Sequence, residues 1–447
     1  MLLKRDGNKV IITPASGGVH GKLFVPGDKS ISHRSIMIGA LSEGETKISG
    51  FLKSADCIST INCFKALGVD IDENDGVISV SGLGPQGLKK PGHPLDVGNS
   101  GTTMRLLSGI LAAQDFECEI TGDASIMKRP MKRVMEPLSA MGADIASLGG
   151  DGLAPLKIKG SILHGTGWVS KVASAQVKSC VLLAGLCSGV PVSVTEPALS
   201  RDHTERMLRA FGVGVDTVIR PDKSATVSIG AGCTLKSPGN IAVPGDISSA
   251  AYFLAAGAMI PGSSVTVENT GINPTRDGII KVLEMIGADP VFENAKEDSE
   301  PSADIVVTHP GIERIREHYQ NEIVIGAPLI PTLIDELPVI AAMACVMPGR
   351  TIIKDARELR VKESDRIEAM TAELSKMGAR IQGTPDGFII DGVEKLHGAA
   401  VDSHSDHRVA MSLATAALCA EGETVIDGAD CVDISYPAFF EDLQKLI

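Results

Sequence analysis

Basic side chains cluster where the sequence predicts helices to begin. A helix N-terminus offers unpaired N–H groups and about half a positive charge, so it suits phosphate and carboxylate groups. Lys and Arg at such a place strengthen that preference. The side chains singled out on this basis are Lys29, Ser30, Arg34, Arg105, Arg129, Gln176, Arg201, Lys362, Arg366 and Arg408.

Two acidic residues lie in the same kind of segment, Asp335 in IDELP and Glu363 in RVKESDR. A pair of carboxylates can accept and donate the protons of one reaction as general base and general acid. Any one of these residues alone is more simply a solvated surface residue. Taken together, matched cations and two carboxylates predict an anion-binding site with acid–base capacity.

Internal repeats indicate how these segments are arranged. The sequence FVPGDKSISHRSIMIGAL at 24–41 resembles AVPGDISSAAYFLAAGAM at 242–259. A second series places a glycine after a helix every 70 to 90 residues or so, which is C-cap chemistry. The glycines are Gly68, Gly142, Gly212, Gly287 and Gly378. Helices are expected to open at a similar step, near Ser30, Ser100, Ser174, Asp246, Asp335 and Asp406.

Short apolar or alternating segments between the helices predict strands, for example Val77–Val80, Val192–Val194, Val265–Val267 and Thr351–Ile353. The pattern therefore predicts an α/β chain of six units, each with two helices and several strands. Six units exceed what one core can hold, so two domains of three units are expected.

The two V-P-G-D turns, near 25–28 and 243–246, bracket three units and predict the crossings between domains. One domain is expected at 26–246, the other at 247–447 with 1–25 returning to it. The acidic stretch Asn294–Pro301 coincides with an enlarged step and is expected to be a surface insertion.

Composition limits the functional classes. The chain has 447 residues, 42 Lys+Arg against 55 Asp+Glu, and a net charge of −13. Such an acidic chain is a poor candidate for nucleic-acid binding. Its nine cysteines form no CxxC pair and lie largely in apolar runs, which favours a reducing compartment. Apolar stretches stop well short of a membrane span, so a cytoplasmic protein without membrane or nucleic-acid partners is expected.

Several of these segments resemble the EPSP synthase family, the 3-phosphoshikimate 1-carboxyvinyltransferases. The resemblance extends from about residue 15 to the C-terminus and rests on PGDKSISHR, GNSGTTMR, SAQVKS, RVKESDR and SDHRVAM. The forms GDASIMKRPM and RDHTE are similar to the branch of the family called class II. The family fold has two similar domains, each of three βαβαββ units, with the substrate cleft between the domains.

The resemblance implies a role for each matching residue. The 26–246 domain would form the shikimate 3-phosphate side, and the other would complete the phosphoenolpyruvate (PEP) site. Shikimate 3-phosphate contacts would be Lys29, Ser30, Arg34, Ser174, Ala175, Gln176, Arg201, Asp335 and Lys362. PEP contacts would be Lys29, Asn99, Gly101, Arg129, Gln176, Glu363, Arg366 and Arg408. Asp335, Glu363 and Lys29 would be catalytic, with Asp335 as base, Glu363 as acid and Lys29 sharing either proton.

The family activity needs no metal or organic cofactor, so none is expected, and a monomer is expected. Some family members carry a Lys before the C-terminal aromatic-Pro step, where Ile434 stands here. No PEP contact is therefore carried over to that position. In glyphosate-tolerant members of the branch an Ala stands where this chain has Gly101, so the resemblance implies sensitivity to glyphosate.

Three other patterns are weaker. Gly82 to Gly87 matches GxGxxG, but Pro85, Pro91 and Pro94 argue against the helix that a dinucleotide site requires. The histidines His404 and His407 are more simply loop residues beside Arg408 than metal ligands. The cysteines Cys57 and Cys63 are more simply packing residues than nucleophiles.

Two alternative functions stay open. A UDP-sugar enolpyruvyl transferase has a similar repeat organisation, but its opening motif would contain Lys-Asn, together with a reactive loop Cys. A non-catalytic phosphometabolite sensor would keep the cations without the chemistry, and the presence of both Asp335 and Glu363 argues against it.

Overall fold

The computed structural model describes residues 3–447, which form an α/β fold of short strands and helices. The strands, β1 to β26 in chain order, are Leu3–Asp6, Lys9–Ile12, His20–Phe24, Glu43–Ser49, Asp70–Asn74, Val77–Leu83, Leu95–Asp96, Glu117–Thr121, Asp144–Ser147, Leu156–Lys159, Thr166–Val169, Val192–Glu196, Val215–Ile219, Ala225–Ile229, Asn240–Ala242, Ser264–Gly271, Val291–Glu297, Pro301–Thr308, Ile323–Ile325, Arg350–Ile353, Arg380–Thr384, Gly387–Asp391, Leu396–His397, Ala400–Asp402, Ala420–Glu421 and Thr424–Asp427. The helices, α1 to α14, are Lys29–Ala40, Ala55–Ala66, Gly101–Ala112, Lys132–Ala140, Ala175–Ser188, His203–Ala210, Ile247–Met259, Gly278–Met285, Ile312–His318, Ile330–Leu333, Leu337–Ala344, Arg366–Lys376, His407–Ala417 and Phe439–Lys445.

Six four-stranded sheets share one topology. In each, an edge strand pairs parallel with its neighbour, and the remaining two pairings are antiparallel. The sheet orders are β15-β4-β6-β5, β7-β8-β10-β9, β11-β12-β14-β13, β3-β16-β18-β17, β19-β20-β22-β21 and β24-β26-β2-β1. The predicted six-fold repeat is confirmed, and the four strand predictions fall within β6, β12, β16 and β20.

The chain divides into two compact units, and each has its own hydrophobic core. The terminal unit is the chain up to Pro26 with Pro244–Ile447, and the central unit is Gly27–Val243. Residues 26 and 244–246 thus lie in the terminal unit, whereas the sequence placed them in the other domain. The reason is local: the Asp246 N–H donates to the Pro26 carbonyl oxygen at 2.9 Å, and Asp246 caps α7 of the terminal unit.

The two V-P-G-D segments connect strands of one unit to helices of the other. Strand β3 pairs with β16 in the terminal unit, and the chain then enters α1 of the central unit. Strand β15 pairs with β4 in the central unit, and the chain then enters α7 of the terminal unit. Glycine is required at the first crossing, because a Cβ on Gly27 would lie 1.8 Å from the Gly50 carbonyl oxygen.

Four of the six predicted helix starts coincide with observed N-caps. In each case the cap side chain accepts a backbone N–H of the first turn. These caps are Ser100 of α3, Ser174 of α5, Asp246 of α7 and Asp406 of α13.

At the other two predicted starts a helix begins within two residues of the predicted position, but the predicted residue is not its N-cap. Helix α1 is capped by Asp28 rather than Ser30, since Asp28 Oδ1 accepts the Ile31 N–H at 2.9 Å. Helix α11 begins at Leu337, with Glu336 at its N-cap position and no side-chain cap bond. Asp335 therefore lies before the helix, and its carboxylate is available for the contacts described below.

The extra length of the fifth unit does not lie at Asn294–Pro301, so that prediction is wrong. Those residues belong to the hairpin of β17 and β18, which has a counterpart in every sheet. The longer connection follows β18 and contains α9 and α10 before α11 begins. The acidic residues and the proline at 294–301 belong to an exposed hairpin and not to an insertion.

The pattern Gly82 to Gly87 does not begin a helix, as expected, because β6 ends at Leu83 and the next helix is α3. No helix within residues 3–447 is long and apolar enough to cross a membrane.

All five repeated glycines follow a helix with a positive φ, between +84° and +91°. Glycine adopts this left-handed conformation without the strain that a Cβ introduces. At Gly212 a Cβ would meet no other atom within 4 Å, so only backbone strain opposes a side chain there.

We therefore expect Gly212→Ala to lower the free energy of unfolding by about 1 kcal/mol. Gly214→Ala is the matched control, since Gly214 has equal space and an ordinary φ. Denaturant unfolding of both variants checks this. Equal stability of the two would contradict the role assigned to the repeated glycines.

Candidate functional site

Cations and polar groups from three segments of the central unit meet around Gln176, the second residue of α5. Arg105 Nη1 donates to Gln176 Oε1 at 2.5 Å, and Gln176 Nε2 donates to Thr102 Oγ1 at 3.0 Å. Arg129 Nη2 donates to Asn99 Oδ1 at 2.7 Å. We call Asn99, Gly101, Arg105, Arg129 and Gln176 the Gln176 cluster.

Local sequence explains why these residues meet. Ser100 and Ser174 cap α3 and α5, so Gly101 and Gln176 fall in first turns, where N–H groups are unpaired. Arg129 follows a short 3-10 helix, Ile126–Lys128, whose start is fixed by Asp123 Oδ1 accepting the Ile126 N–H at 2.8 Å. The arrangement places two guanidinium groups beside two helix starts, which suits an anion.

Gly101 lies directly against both guanidinium groups. A Cβ at this position would be 3.1 Å from Arg105 Nη1 and 3.5 Å from Arg129 Nη1. The absence of a side chain thus leaves space that the two arginines border.

A second group in the central unit surrounds the start of α1. Lys29 Nζ forms an ion pair with Asp56. Arg34 is 3% exposed, and its guanidinium donates to the Ser30 carbonyl oxygen at 3.0 Å, Thr204 Oγ1 at 2.7 Å and Ser179 Oγ at 3.0 Å. Arg34 therefore joins α1 to α5 and α6.

Ser174, Ala175 and Arg201 complete the predicted residues of the central unit. Ser174 caps α5, and Ala175 is its first residue. Arg201 lies between Ser200 and α6. The Ser174 N–H and the Ser200 hydroxyl both donate to Glu196, a residue the sequence did not single out.

The terminal unit brings its five predicted residues together around one carboxylate. Asp335 Oδ1 accepts from Lys362 Nζ at 3.2 Å and lies 3.6 Å from Arg366 Nη1 and 4.0 Å from Arg408 Nε. Arg366 Nη2 donates to Glu363 Oε2 at 2.6 Å. We call Asp335, Lys362, Glu363, Arg366 and Arg408 the Asp335 cluster.

Asp406 is fully buried and forms hydrogen bonds to residues of this cluster. Its Oδ2 accepts from Arg366 Nε at 2.8 Å and from Ser364 Oγ at 3.0 Å, and its Oδ1 accepts the Arg408 N–H at 2.9 Å. One carboxylate thus contacts Arg366 and Arg408, the two arginines of the terminal unit that the family resemblance assigned to PEP.

The charges of the cluster shift its titrating groups. Burial would raise the pKa of the Glu363 carboxyl, but the charges of Arg366 and Lys362 outweigh it and lower the pKa below its ordinary value. Burial and the neighbouring Arg408 lower the pKa of His407 to about 3, so this histidine is neutral at pH 7. Glu363 is therefore ionised when it pairs with Arg366.

Sequence reasoning gave no site role to four residues that contact the predicted ones: Asp56, Arg105, Glu196 and Asp406. Arg105 was visible as a cation at a helix start. Asp406 was visible only as a helix cap, and its pairing with Arg366 joins residues distant in the chain. Nothing in the sequence around Asp56 indicated more than the start of a helix.

The weaker sequence patterns resolve as follows. His407 is not a loop residue but the buried first residue of α13, whereas His404 lies in the preceding loop with Nε2 3.0 Å from Glu373 Oε1. Burial raises the pKa of the Cys57 and Cys63 thiols to about 12, which suits packing residues. Within residues 3–447, no group of three or more His, Cys, Asp or Glu side chains is placed to hold a metal ion.

Comparisons with known proteins show the family to which the chain is similar. The family model described as EPSP synthase (3-phosphoshikimate 1-carboxyvinyltransferase) matches residues 14–443. A 3-phosphoshikimate 1-carboxyvinyltransferase of Bacillus thuringiensis (strain Al Hakam) is 52% identical over 440 residues, covering 98% of this chain and 99% of the relative. One of Bacillus cereus is 52% identical over 439 residues, covering 97% of this chain and 98% of the relative.

A solved structure of EPSP synthase from Acinetobacter baumannii superposes with a TM-score of 0.84 at 42% identity, covering 98% of both chains. Family match, identity and fold therefore agree along nearly the whole chain. The chain belongs to the EPSP synthase family of transferases.

Proposed function

We propose that the chain transfers the enolpyruvyl group of PEP to the 5-hydroxyl of shikimate 3-phosphate, giving EPSP and phosphate by addition and elimination. The reaction belongs to the shikimate pathway and so to the biosynthesis of chorismate and aromatic amino acids. The observation that carries the proposal is the family match along residues 14–443, since it spans both clusters and the α1 group.

The predicted contacts divide the substrates among these groups. Shikimate 3-phosphate engages the α1 group and the start of α5 in the central unit, with Asp335 and Lys362 of the terminal unit. PEP engages the Gln176 cluster together with Lys29, and Glu363, Arg366 and Arg408 of the terminal unit. Guanidinium groups suit PEP because each can bind a carboxylate or phosphate through two N–H groups.

Proton transfer falls to Asp335, Glu363 and Lys29. As the 5-hydroxyl oxygen bonds to C2 of PEP, its proton passes to Asp335 while C3 gains a proton from Glu363. In the elimination, C3 gives a proton back to the Glu363 carboxylate, the C2–C3 double bond re-forms and the C2–O bond to phosphate breaks. Phosphate leaves with the electron pair of that bond, together with the proton that Asp335 accepted. The cations stabilise the charge of the tetrahedral intermediate.

The lowered pKa of Glu363 adds a condition to this scheme. An ionised Glu363 can act as an acid only after it has gained a proton. Anionic groups of PEP that bind Arg366 compete with Glu363 for the same guanidinium. Losing that partner raises the pKa of Glu363 toward the working pH, so substrate binding itself prepares the acid.

The proposal also places the protein in the cytoplasm as a monomer that glyphosate inhibits. All nine cysteines are free thiols, and six of them are buried, which suits a reducing compartment. Glyphosate would occupy the space beside Gly101 that Arg105 and Arg129 border.

Turnover tests the reaction directly. Mixed with shikimate 3-phosphate and PEP, the protein should release phosphate and form EPSP, measured by a phosphate assay and mass spectrometry. Asp335→Asn should lower kcat by about 10²–10⁴-fold because it removes the base. Asp391→Asn is the control, since Asp391 pairs with Arg350 on the surface. Binding of both substrates without turnover would instead favour the sensor.

Substitution of Gly101 tests the PEP subsite. In Gly101→Ala the added methyl would press on Arg105 Nη1 at 3.1 Å and enter the space between the arginines. We expect the inhibition constant of glyphosate to rise by about tenfold or more, which corresponds to at least about 1.4 kcal/mol. Gly214→Ala is the control for a methyl added elsewhere in the central unit. Equal inhibition constants for wild type and Gly101→Ala would contradict the subsite.

A further inference from the structure

Lys178 is a fully buried lysine that the proposed reaction does not use. It lies on α5, and its Nζ donates to the Ser200 carbonyl oxygen at 3.1 Å. The same nitrogen is 2.7 Å from Glu205 Oε1 and 3.2 Å from Glu196 Oε2. An ammonium group has three N–H donors, and here three oxygens face it.

A buried group of this kind is not explained by stability alone. Removing charges from water is costly, and apolar side chains of similar volume often stabilise a core as well or better. Lys178, Glu196 and Glu205 are each at most 1% exposed. A positional role would explain their burial, and the contacts of Glu196 indicate which one.

Glu196, the last residue of β12, joins two segments that the reaction needs. Its Oε1 accepts the Ser174 N–H at 2.6 Å, and its Oε2 accepts the Ser200 N–H at 3.3 Å. The Ser200 hydroxyl lies 2.9 and 2.8 Å from the two oxygens. Ser174 is the N-cap of α5, and Ser200 directly precedes Arg201.

We propose that Glu196, held in place by Lys178, is a positioning residue for the phosphate of shikimate 3-phosphate. Its carboxylate sets the spacing between the N–H groups at the start of α5 and the Arg201 segment, so that one phosphate can engage both. The inference rests on the proposed function, because it concerns the substrate that these two segments bind.

Charge balance fits this role. An unpaired carboxylate near the phosphate would repel it, and Lys178 neutralises Glu196. Burial raises the pKa of Glu205, against the opposing charge of Lys178. Fixed spacing also lowers the ordering cost of binding, which raises affinity without a new contact to the ligand.

Calorimetric titration of shikimate 3-phosphate into Glu196→Gln tests the proposal. The change weakens the charge-assisted bonds to Ser174 and Ser200, so the Kd should rise by about tenfold or more. The KM for shikimate 3-phosphate should rise with it, whereas the KM for PEP at saturating shikimate 3-phosphate should stay within about twofold of wild type.

Glu205→Gln is the matched control, since it alters the same cluster and the same lysine. Glu205 is not bonded to Ser174 or Ser200 in any described contact. The Kd of Glu205→Gln for shikimate 3-phosphate should therefore stay within about twofold of the wild-type value. Thermal unfolding of both variants gives the stability loss of each. An equal rise in Kd for the two, or an unchanged Kd in Glu196→Gln, would overturn the proposal.

Two further measurements keep the outcome decisive. If Glu196→Gln does not fold, Ser200→Ala removes the hydroxyl tie alone and should weaken binding in the same direction by a smaller factor. An unchanged Kd in Ser200→Ala would then overturn the proposal. If wild type neither binds nor converts shikimate 3-phosphate, the proposed function is wrong. If wild type turns over normally and Glu196→Gln has the same Kd for shikimate 3-phosphate as wild type, only this inference is wrong.

Discussion

The terminal unit is organised around a guanidinium group that water does not reach. Arg366 is 1% exposed, and a charge so placed must be paired. Asp406, Glu363 and Asp335 supply that pairing from three different segments. Removing one partner of such a buried pair typically costs about 3–5 kcal/mol. The positions of Asp335, Glu363 and Asp406 therefore follow from the need to neutralise Arg366.

The central unit meets the same constraint with other partners. Lys29 pairs with Asp56, Lys178 with Glu196 and Glu205, and Arg34 is held by hydroxyl and carbonyl oxygens. A net charge of −13 is thus compatible with acidic substrates. Global charge describes the sum over the molecule, whereas the field at a binding site depends on cations fixed at helix starts.

Features fixed by local chemistry could be predicted from the sequence. The repeated glycines and the caps Ser100, Ser174, Asp246 and Asp406 depend on a few adjacent residues, and they emerged as expected. Ser30 and Asp335 were placed wrongly as caps because neighbouring Asp28 and Glu336 stand at those positions instead. The hairpin at 294–301 was misjudged because exposure alone does not distinguish an edge strand from an insertion.

Pairings between distant segments could not be predicted. Asp406 already had a sufficient explanation as a helix cap, so nothing in SDHR indicated its bond to Arg366. Lys178 lies beside Gln176 in SAQVKS, yet a lysine in a helix is ordinarily solvated, and only its neighbours in space show that it is buried. The sequence could not show that the Arg105 guanidinium borders the space beside Gly101, because that depends on a distance in the folded chain.

The most direct measurement is proton uptake on ligand binding, because Glu363 is ionised when it pairs with Arg366 and must be protonated to act as an acid. Calorimetry at pH 7 in two buffers of different ionisation enthalpy gives that uptake when shikimate 3-phosphate and glyphosate bind together. Comparison with Glu363→Gln cancels the contribution of the ligands. Wild type should take up as much as one proton more than the variant. Equal uptake by both proteins would show that Glu363 stays ionised and is not the acid.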